Sequence, residues 1–301
     1  MQSVLSISEG GLGRQRLWRW RGWRVRYSFS MPPQAAKQPP IILLHGFGAN
    51  LNQWRQNLVP LGQHHPVYAI DLLGFGGSEK AATLYNAELW SQQVYEFWRA
   101  IVGRPAIVLG HSLGALVALT AVSQQPAMAQ GLVMITLPLS REDLVASWVA
   151  DVARSTEKVT ANPLLMRSLF YGIRRPSLLK RALRGIYTRP ELVDQELLDT
   201  FARPPQERGA ARTLCYLVRS RTQADFSPST RDMLQGLQMP TLLLWGRQDR
   251  VVPFGWADKI AALSPHVVFK PVEGGHCCYD EFPEVVNHLV LDWLAAIHLK
   301  P

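Results

Sequence analysis

Cysteine is scarce. Three in 301 residues leave nothing from which to build a disulfide scaffold, and they accord with a reducing compartment. Long apolar runs are missing too. The longest, such as Ile41–Leu44 with its flanks, are strand-sized and fall far short of the ~20 residues that a membrane-spanning helix needs. The first arginine is Arg14 and no apolar stretch follows a basic start, so a secretory signal is not expected. There is no internal repeat, no low-complexity tract and no metal-ligand spacing. Acid is in short supply: 23 Asp and Glu stand against 32 Lys and Arg, a net charge of +9. What is abundant is apolar surface. At 47% hydrophobic and 18% charged residues, the chain has ordinary globular composition, which excludes disorder as a global description. Its length suits one large α/β domain or two small ones.

The surplus charge sits in two places. Residues 1–30 hold six arginines and one acid, and residues 140–235 hold sixteen bases and eleven acids. The remainder is close to neutral. Residues 16–30, RLWRWRGWRVRYSFS, alternate aromatic or apolar with arginine on both sides of Arg21-Gly22. That predicts a β-hairpin with one apolar face and arginines toward solvent; contact of those arginines with an anionic surface is the alternative. A Pro-rich loop follows.

From residue 41 the pattern changes to short apolar runs, Gly-rich turns and helical stretches in alternation. Strands are expected at 41–44, 67–70, 106–109, 132–135, 241–245 and 267–270, with helices at about 52–62, 86–102, 113–124, 254–263 and 283–298. Alternating strands and helices mean βαβ units and a mostly parallel sheet, and continuous apolar strands are those buried on both faces. Residues 138–236 interrupt this with helical character, many charges and prolines at Pro163, Pro176, Pro190 and Pro204. They read as a helical cap inserted into a core made of 1–137 and 237–301.

The strongest chemical signal is Gly110-His111-Ser112-Leu113-Gly114. It lies between a strand and a helix, the setting in which a serine on a sharp turn exposes its hydroxyl and the helix N-terminus supplies partial positive charge. A serine hydroxyl needs a base, and the base an orienting acid. Of eight histidines, His276, in Glu273-Gly-Gly-His just after a strand, stands at the sheet edge where the other motifs end. His45 and His111 lie in turns, and His64-His65 is expected at the surface. Asp249, just beyond the strand that follows the cap, is the candidate acid. Asp71 precedes the serine and is expected to tie down its own turn; Asp225, near the end of the cap, is a lesser rival. Backbone N–H groups of Phe47, in His45-Gly-Phe-Gly, and of Leu113 are the expected oxyanion donors.

These residues together resemble the α/β-hydrolase superfamily over about residues 15–299. The carriers are HGFG, DLLGFGGS, GHSLGA, WGRQD and GGH. WRWRGWRVRYSF, HGFGANLNQWRQNL and VYAIDLLGFGGS are similar to a cyanobacterial and plastid branch with pheophytinase- and chlorophyll-dephytylase-like hydrolases, some plastid members of which carry Asn in place of His111. The resemblance implies an α/β-hydrolase fold: an eight-stranded, mostly parallel sheet flanked by helices, with an inserted cap. It implies a triad of Ser112, Asp249 and His276, no metal or organic cofactor, and hydrolysis of a carboxylic ester, with the phytyl ester of a chlorophyll pigment as one hydrophobic example. A dehalogenase or epoxide hydrolase would carry aspartate at 112. C–C bond hydrolysis of a ring-cleavage product uses the same triad and is the alternative; a non-catalytic binding protein on the same scaffold is the second.

Between Glu157 and Glu191 there is no acid. The bases Lys158, Arg167, Arg174, Arg175, Lys180, Arg181, Arg184 and Arg189 alternate with apolar clusters there, and Leu179, Leu183 and Ile186 have helical spacing. Such helices either cover the active site with their apolar side or lie in a membrane interface. The expectation is a cytoplasmic protein, peripheral on a membrane if the cap docks there, the thylakoid if the branch resemblance holds. Nucleic acid is not an expected partner, because the charge comes without a recognised module. Cys277 and Cys278 are expected to be buried packing beside the site, and Cys215 packing within the cap.

Overall fold

The structure is a computed structural model that describes residues 11–32, 38–140, 143, 170–172, 174–221 and 223–298. Eight strands form one sheet in the order β1-β2-β4-β3-β5-β6-β7-β8. They are β1 (Arg14–Trp20), β2 (Trp23–Ser30), β3 (Ile41–Leu44), β4 (Val67–Ile70), β5 (Ala106–His111), β6 (Ala129–Ile135), β7 (Thr241–Gly246) and β8 (Val267–Val272). β1–β2 and β2–β4 are antiparallel and all later pairs parallel.

Sequence period explains why this sheet is buried on both faces. Within β3, Ile41 and Leu43 belong to one apolar cluster and Ile42 and Leu44 to the other. Successive side chains point to opposite faces, so a strand covered by helices on both sides must be apolar throughout. α2 (Ala87–Phe97), α3 (Leu113–Gln124) and α8 (Ala257–Ala261) cover one face, and α1 (Leu58–Gly62) and α10 (Pro283–His298) the other. α3 is buried nearly all round, as its uninterrupted apolar run demands. β8 is the edge strand at the parallel end of the sheet and only partly buried.

The hairpin forms at the residues expected. Arg21 and Gly22 both have positive φ, 51° and 87°, the pair of left-handed positions that a two-residue turn between twisted strands requires. Trp20, Val25 and Tyr27 enter the core, and Trp18 meets Phe97 of α2 edge-on at 5.6 Å. Five of the arginines are exposed. Arg26 is not simply solvated: its Nε donates to buried Asp71 at 2.6 Å.

Between β6 and β7 the described residues contain helices and no strand. Prolines open them: Pro176 starts α4 (Pro176–Ile186), and Pro190 and Pro204 start short 3-10 turns, where a missing N–H costs nothing. α5 (Gln195–Ala202), α6 (Ala210–Arg221) and α7 (Thr230–Gln235) follow. Leu179 and Leu183 of α4 and Leu197 and Leu198 of α5 join the cluster that also holds Trp54 and Tyr279, so the apolar stripe of α4 is spent on the protein's own body. Met233 and Leu234 of α7 join the opposite cluster with α3. Lys158, Pro163, Leu164, Leu165, Met166, Arg167, Leu169 and Ile173 lie outside the described residues.

Candidate active site

Every motif singled out at a strand end arrives at the carboxyl edge of the parallel sheet, where ligands collect in open α/β folds. Ser112 stands between β5 and α3 with φ 51° and ψ −117°. That region is sparsely populated for any residue with a Cβ and marks a position the surroundings over-determine. The two flanking glycines explain how the turn is possible. A Cβ on Gly110 would fall 2.1 Å from the Gly114 carbonyl oxygen, and one on Gly114 would fall 2.2 Å from that of Leu44. The first glycine lets the turn fold across itself, and the second lets it abut the end of β3. The Ser112 N–H is held by the Ile135 carbonyl at 2.9 Å, and the residue remains partly accessible.

His276 and Asp249 are brought together. His276 Nδ1 lies 2.9 Å from Asp249 Oδ2, with the Asp249 side chain wholly buried. A carboxylate only accepts, so the nitrogen facing it, Nδ1, is the one that donates. Asp249 is fixed by further donors: Val251 N–H at 2.8 Å and Val252 N–H at 2.9 Å on Oδ1, and the Thr136 hydroxyl at 3.2 Å on Oδ2. Thr136 was not among the sequence candidates. It directly follows β6 and has φ 52°, a genuine outlier for a β-branched residue. Its position at the same sheet edge as the other motifs was the only available signal.

His111 ties the serine turn to His276. Its Nε2 is 2.8 Å from the His276 carbonyl oxygen, and its ring lies 4.7 Å from those of His276 and Tyr279. Burial, and then the nearby His276, push its pKa well below the ordinary value. The ring is therefore neutral, with Nε2–H donating to the carbonyl. The loop of residues 45–48 lies against this ring, since a Cβ on Gly46 would sit 2.8 Å from His111 Nδ1. Phe47 is thereby set beside the serine turn, its ring edge-on to Phe75 at 5.5 Å. Leu113 begins α3, where the first N–H groups have no acceptor within the helix. Both expected oxyanion donors thus come from segments packed against each other.

Asp71 does what was expected of it. Oδ1 accepts from Leu51 N–H at 2.7 Å, and Oδ2 from Gly77 N–H at 2.7 Å and from Arg26. Burial alone would raise its pKa; Arg26 and His45 outweigh it and hold it low. Asp225 is exposed in a short turn and is not brought to the site. His65, expected at the surface, is buried with Nδ1 3.0 Å from the Pro39 carbonyl oxygen; the chain folds back over it before β4. Cys277 and Cys278 are buried, and desolvation raises both thiols far from ionisation, so they are packing groups. Cys277 Sγ accepts from Gln53 Nε2 at 3.2 Å. Cys215 is half-buried in α6. Among the described residues no cluster suited to a metal ion occurs, and no helix is long and apolar enough to cross a membrane.

The sequence model of the alpha/beta hydrolase fold family matches residues 39–283, and the chain belongs to that family. An uncharacterized hydrolase, YugF, of Bacillus subtilis is 24% identical over 84% of this chain and 89% of its own. The chloroplastic pheophytinase of Arabidopsis thaliana is 23% identical over 85% of this chain, which spans 61% of that longer protein. Among solved structures, a bacterial membrane phospholipase A superposes with a TM-score of 0.78 at 22% identity, over 96% of this chain and 88% of that one; this likeness is one of fold.

Proposed function

We propose that this α/β hydrolase cleaves a carboxylic ester through an acyl-enzyme, with Ser112 as nucleophile, His276 as general base and Asp249 as the orienting acid. The observation that carries the reading is the 2.9 Å contact of His276 Nδ1 with buried Asp249, at the same sheet edge as a serine held at φ 51°. Ser112 Oγ attacks the carbonyl carbon while His276 Nε2 takes its proton. The Phe47 and Leu113 amides receive the developing oxyanion. Collapse breaks the ester C–O bond, and the leaving alkoxide takes the proton back from Nε2. Water, deprotonated by the same nitrogen, then releases the acid and restores Ser112. Every group needed is a residue of this chain.

The substrate proposed is lipophilic, a phytyl ester of a chlorophyll pigment being one example, taken from a membrane surface met by the cap. Likeness to a pheophytinase supports the first part. The second part rests on the outward face of α4. Arg175, Arg181 and Arg184 are exposed and Lys180 half-buried, and no carboxylate of the described residues pairs with any of them. Leu178 and Tyr171 stand out beside them at 46% and 50% exposure, with the Arg174 guanidinium 5.4 Å from the Tyr171 ring. Basic groups around protruding apolar ones suit an anionic lipid surface.

A fluorophosphonate probe tests the chemistry: wild type is labelled, and Ser112→Ala loses both label and turnover with its fold intact. An unlabelled wild type would remove the reading. A panel of p-nitrophenyl esters of several chain lengths, phytyl-bearing pigments and vinylogous diketo acids then separates ester from C–C hydrolysis. Co-sedimentation with anionic vesicles, lost on neutral ones, is expected for the cap. Equal recovery with both, or none with either, would sink the membrane part alone.

A further inference from the structure

One buried carboxylate joins the cap to the loop that carries His276. Glu281 ends α9 (Cys278–Glu281) and is 1% exposed. Its Oε1 accepts from the Gly275 N–H at 2.8 Å. Its Oε2 accepts from the Thr188 N–H at 2.8 Å, from the Arg189 N–H at 3.1 Å and from the Thr188 hydroxyl. Thr188 and Arg189 are the residues by which the chain leaves α4. Arg189 Nη1 also donates to the Glu281 carbonyl at 3.1 Å.

The contact is backbone to backbone as well. A Cβ on Gly275 would lie 2.7 Å from the Ile186 carbonyl oxygen, at the end of α4; only glycine lets the cap press this close. The neighbouring carboxylate repeats the arrangement, for Asp280 accepts from the Tyr187 hydroxyl at 2.7 Å and from Arg55 Nε at 3.3 Å.

The residues around Gly275 are held differently. The Gly274 N–H donates to Gln248 Oε1 at 2.8 Å, and the His276 carbonyl accepts from His111. Both ties lead to residues outside the cap. The tie of Gly275, between them, leads through Glu281 to the cap. A buried carboxylate accepts only, and its donors here are amides that have no substitute if it leaves. Displacing Thr188 and Arg189 therefore loosens the residue next to the base, and displacements of that order at a base are felt in rate.

We propose that Glu281 is a positioning residue that couples the cap to the general base, so that His276 is held for proton transfer when the exit of α4 is seated. The proposal rests on the reading of His276 as base. It locates a sensor of cap position shortly after His276 in the chain, with partners in the cap, Thr188 and Arg189, that are remote in sequence from it.

Steady-state kinetics of the full chain on a short soluble p-nitrophenyl ester test it, with pH profiles and melting temperatures of the same samples. Glu281→Gln keeps the shape but turns an amide N–H toward the cap's donors; its kcat is expected to fall by about 10- to 100-fold, with KM nearly unchanged and the acid limb of kcat/KM displaced. Thr188→Val, a change in the cap alone, should show the same pattern at smaller size. Thr188→Ser should restore what Thr188→Val loses, and the Glu281→Gln/Thr188→Val double variant should be no slower than Glu281→Gln, since both cut one link. Should Glu281→Gln not fold, Thr188→Val decides. A Thr188→Val enzyme with wild-type kcat and wild-type acid limb, lowered only in melting temperature, would make Glu281 a structural tie and overturn the proposal while Ser112→Ala still abolishes turnover. Turnover surviving Ser112→Ala would overturn the site reading and the coupling with it.

Discussion

The ends of β4 and β7 carry nearly the same construction and put it to different uses. Each strand is followed by an aspartate whose side chain is wholly buried, Asp71 and Asp249. Each carboxylate accepts two backbone amides: Leu51 and Gly77 at the first, Val251 and Val252 at the second. A neutral, buried histidine stands at each end, His45 interacting with Asp71 itself and His111 with His276, the partner of Asp249. The difference is the partner on Oδ2. At β4 it is the Arg26 guanidinium at 2.6 Å, at β7 the His276 imidazole at 2.9 Å. Arginine does not give up its proton in proteins, whereas imidazole exchanges one near neutral pH. Burial and saturated hydrogen bonding are therefore common to both ends; what sets Asp249 apart is a partner able to pass a proton.

Two substitutions separate the ends, the first with the larger effect. Asp249→Asn keeps an oxygen for Val251 and Val252 but offers an N–H to His276 Nδ1, which favours the tautomer with Nε2 protonated. That nitrogen can no longer take the Ser112 proton, and kcat is expected to drop by about 10⁴ with the fold retained. Asp71→Asn should do the reverse. It leaves Arg26 without its counter-charge and sets an amide either against the Gly77 and Arg26 donors on Oδ2 or against the Leu51 donor on Oδ1, which is expected to cost about 3 kcal/mol of stability in denaturant unfolding and to lower kcat far less. An Asp71→Asn enzyme as inactive as Asp249→Asn, at wild-type stability, would erase the distinction.

How much of this could be read in the sequence follows from the range of each interaction. The serine turn was legible because strand, glycines and helix are contiguous, and the local sterics at Gly110 and Gly114 demand those residues. His276 and Asp249 were legible because each follows its own strand directly, so that placing the strand places the residue. The sheet was legible because burial on both faces leaves unbroken apolar runs. Arg26 was not: alternation along the hairpin assigns it to solvent, and Asp71 meets it only because β2 pairs with β4. Glu281 was not either. Its partners in the cap are 92 and 93 residues away, and no local pattern distinguishes a buried glutamate from a solvated one. The cap resisted for a related reason. The spacing of Leu179, Leu183 and Ile186 announces an apolar stripe without saying what covers it, and the cover is the body of the protein.

Acid sharpens the same comparison with a smaller effect. His45 and His111 both have folded-state pKa values below the ordinary 6.5 of histidine, in each case chiefly through burial. At His45 the negative charge of Asp71 opposes that shift, while at His111 the neighbouring His276 adds to it. A depressed histidine binds fewer protons folded than unfolded. Its contribution to stability is therefore fully present above pH 6.5 and is lost as pH falls from there toward the folded value. Each such group removes up to about 1.4 kcal/mol for every pH unit of that descent. Unfolding free energies measured in denaturant between pH 7.5 and 5 should fall accordingly. The two ends are then told apart by substitution. His111→Gln keeps a donor for the His276 carbonyl but does not titrate, so it should flatten the acid slope. His45→Gln should flatten it less, because Asp71 leaves His45 the smaller depression and a narrower window. Equal flattening by the two variants would mean that Asp71 and His276 do not set the acid response of the ends they occupy, and a slope unchanged by both would place the acid-sensitive groups elsewhere.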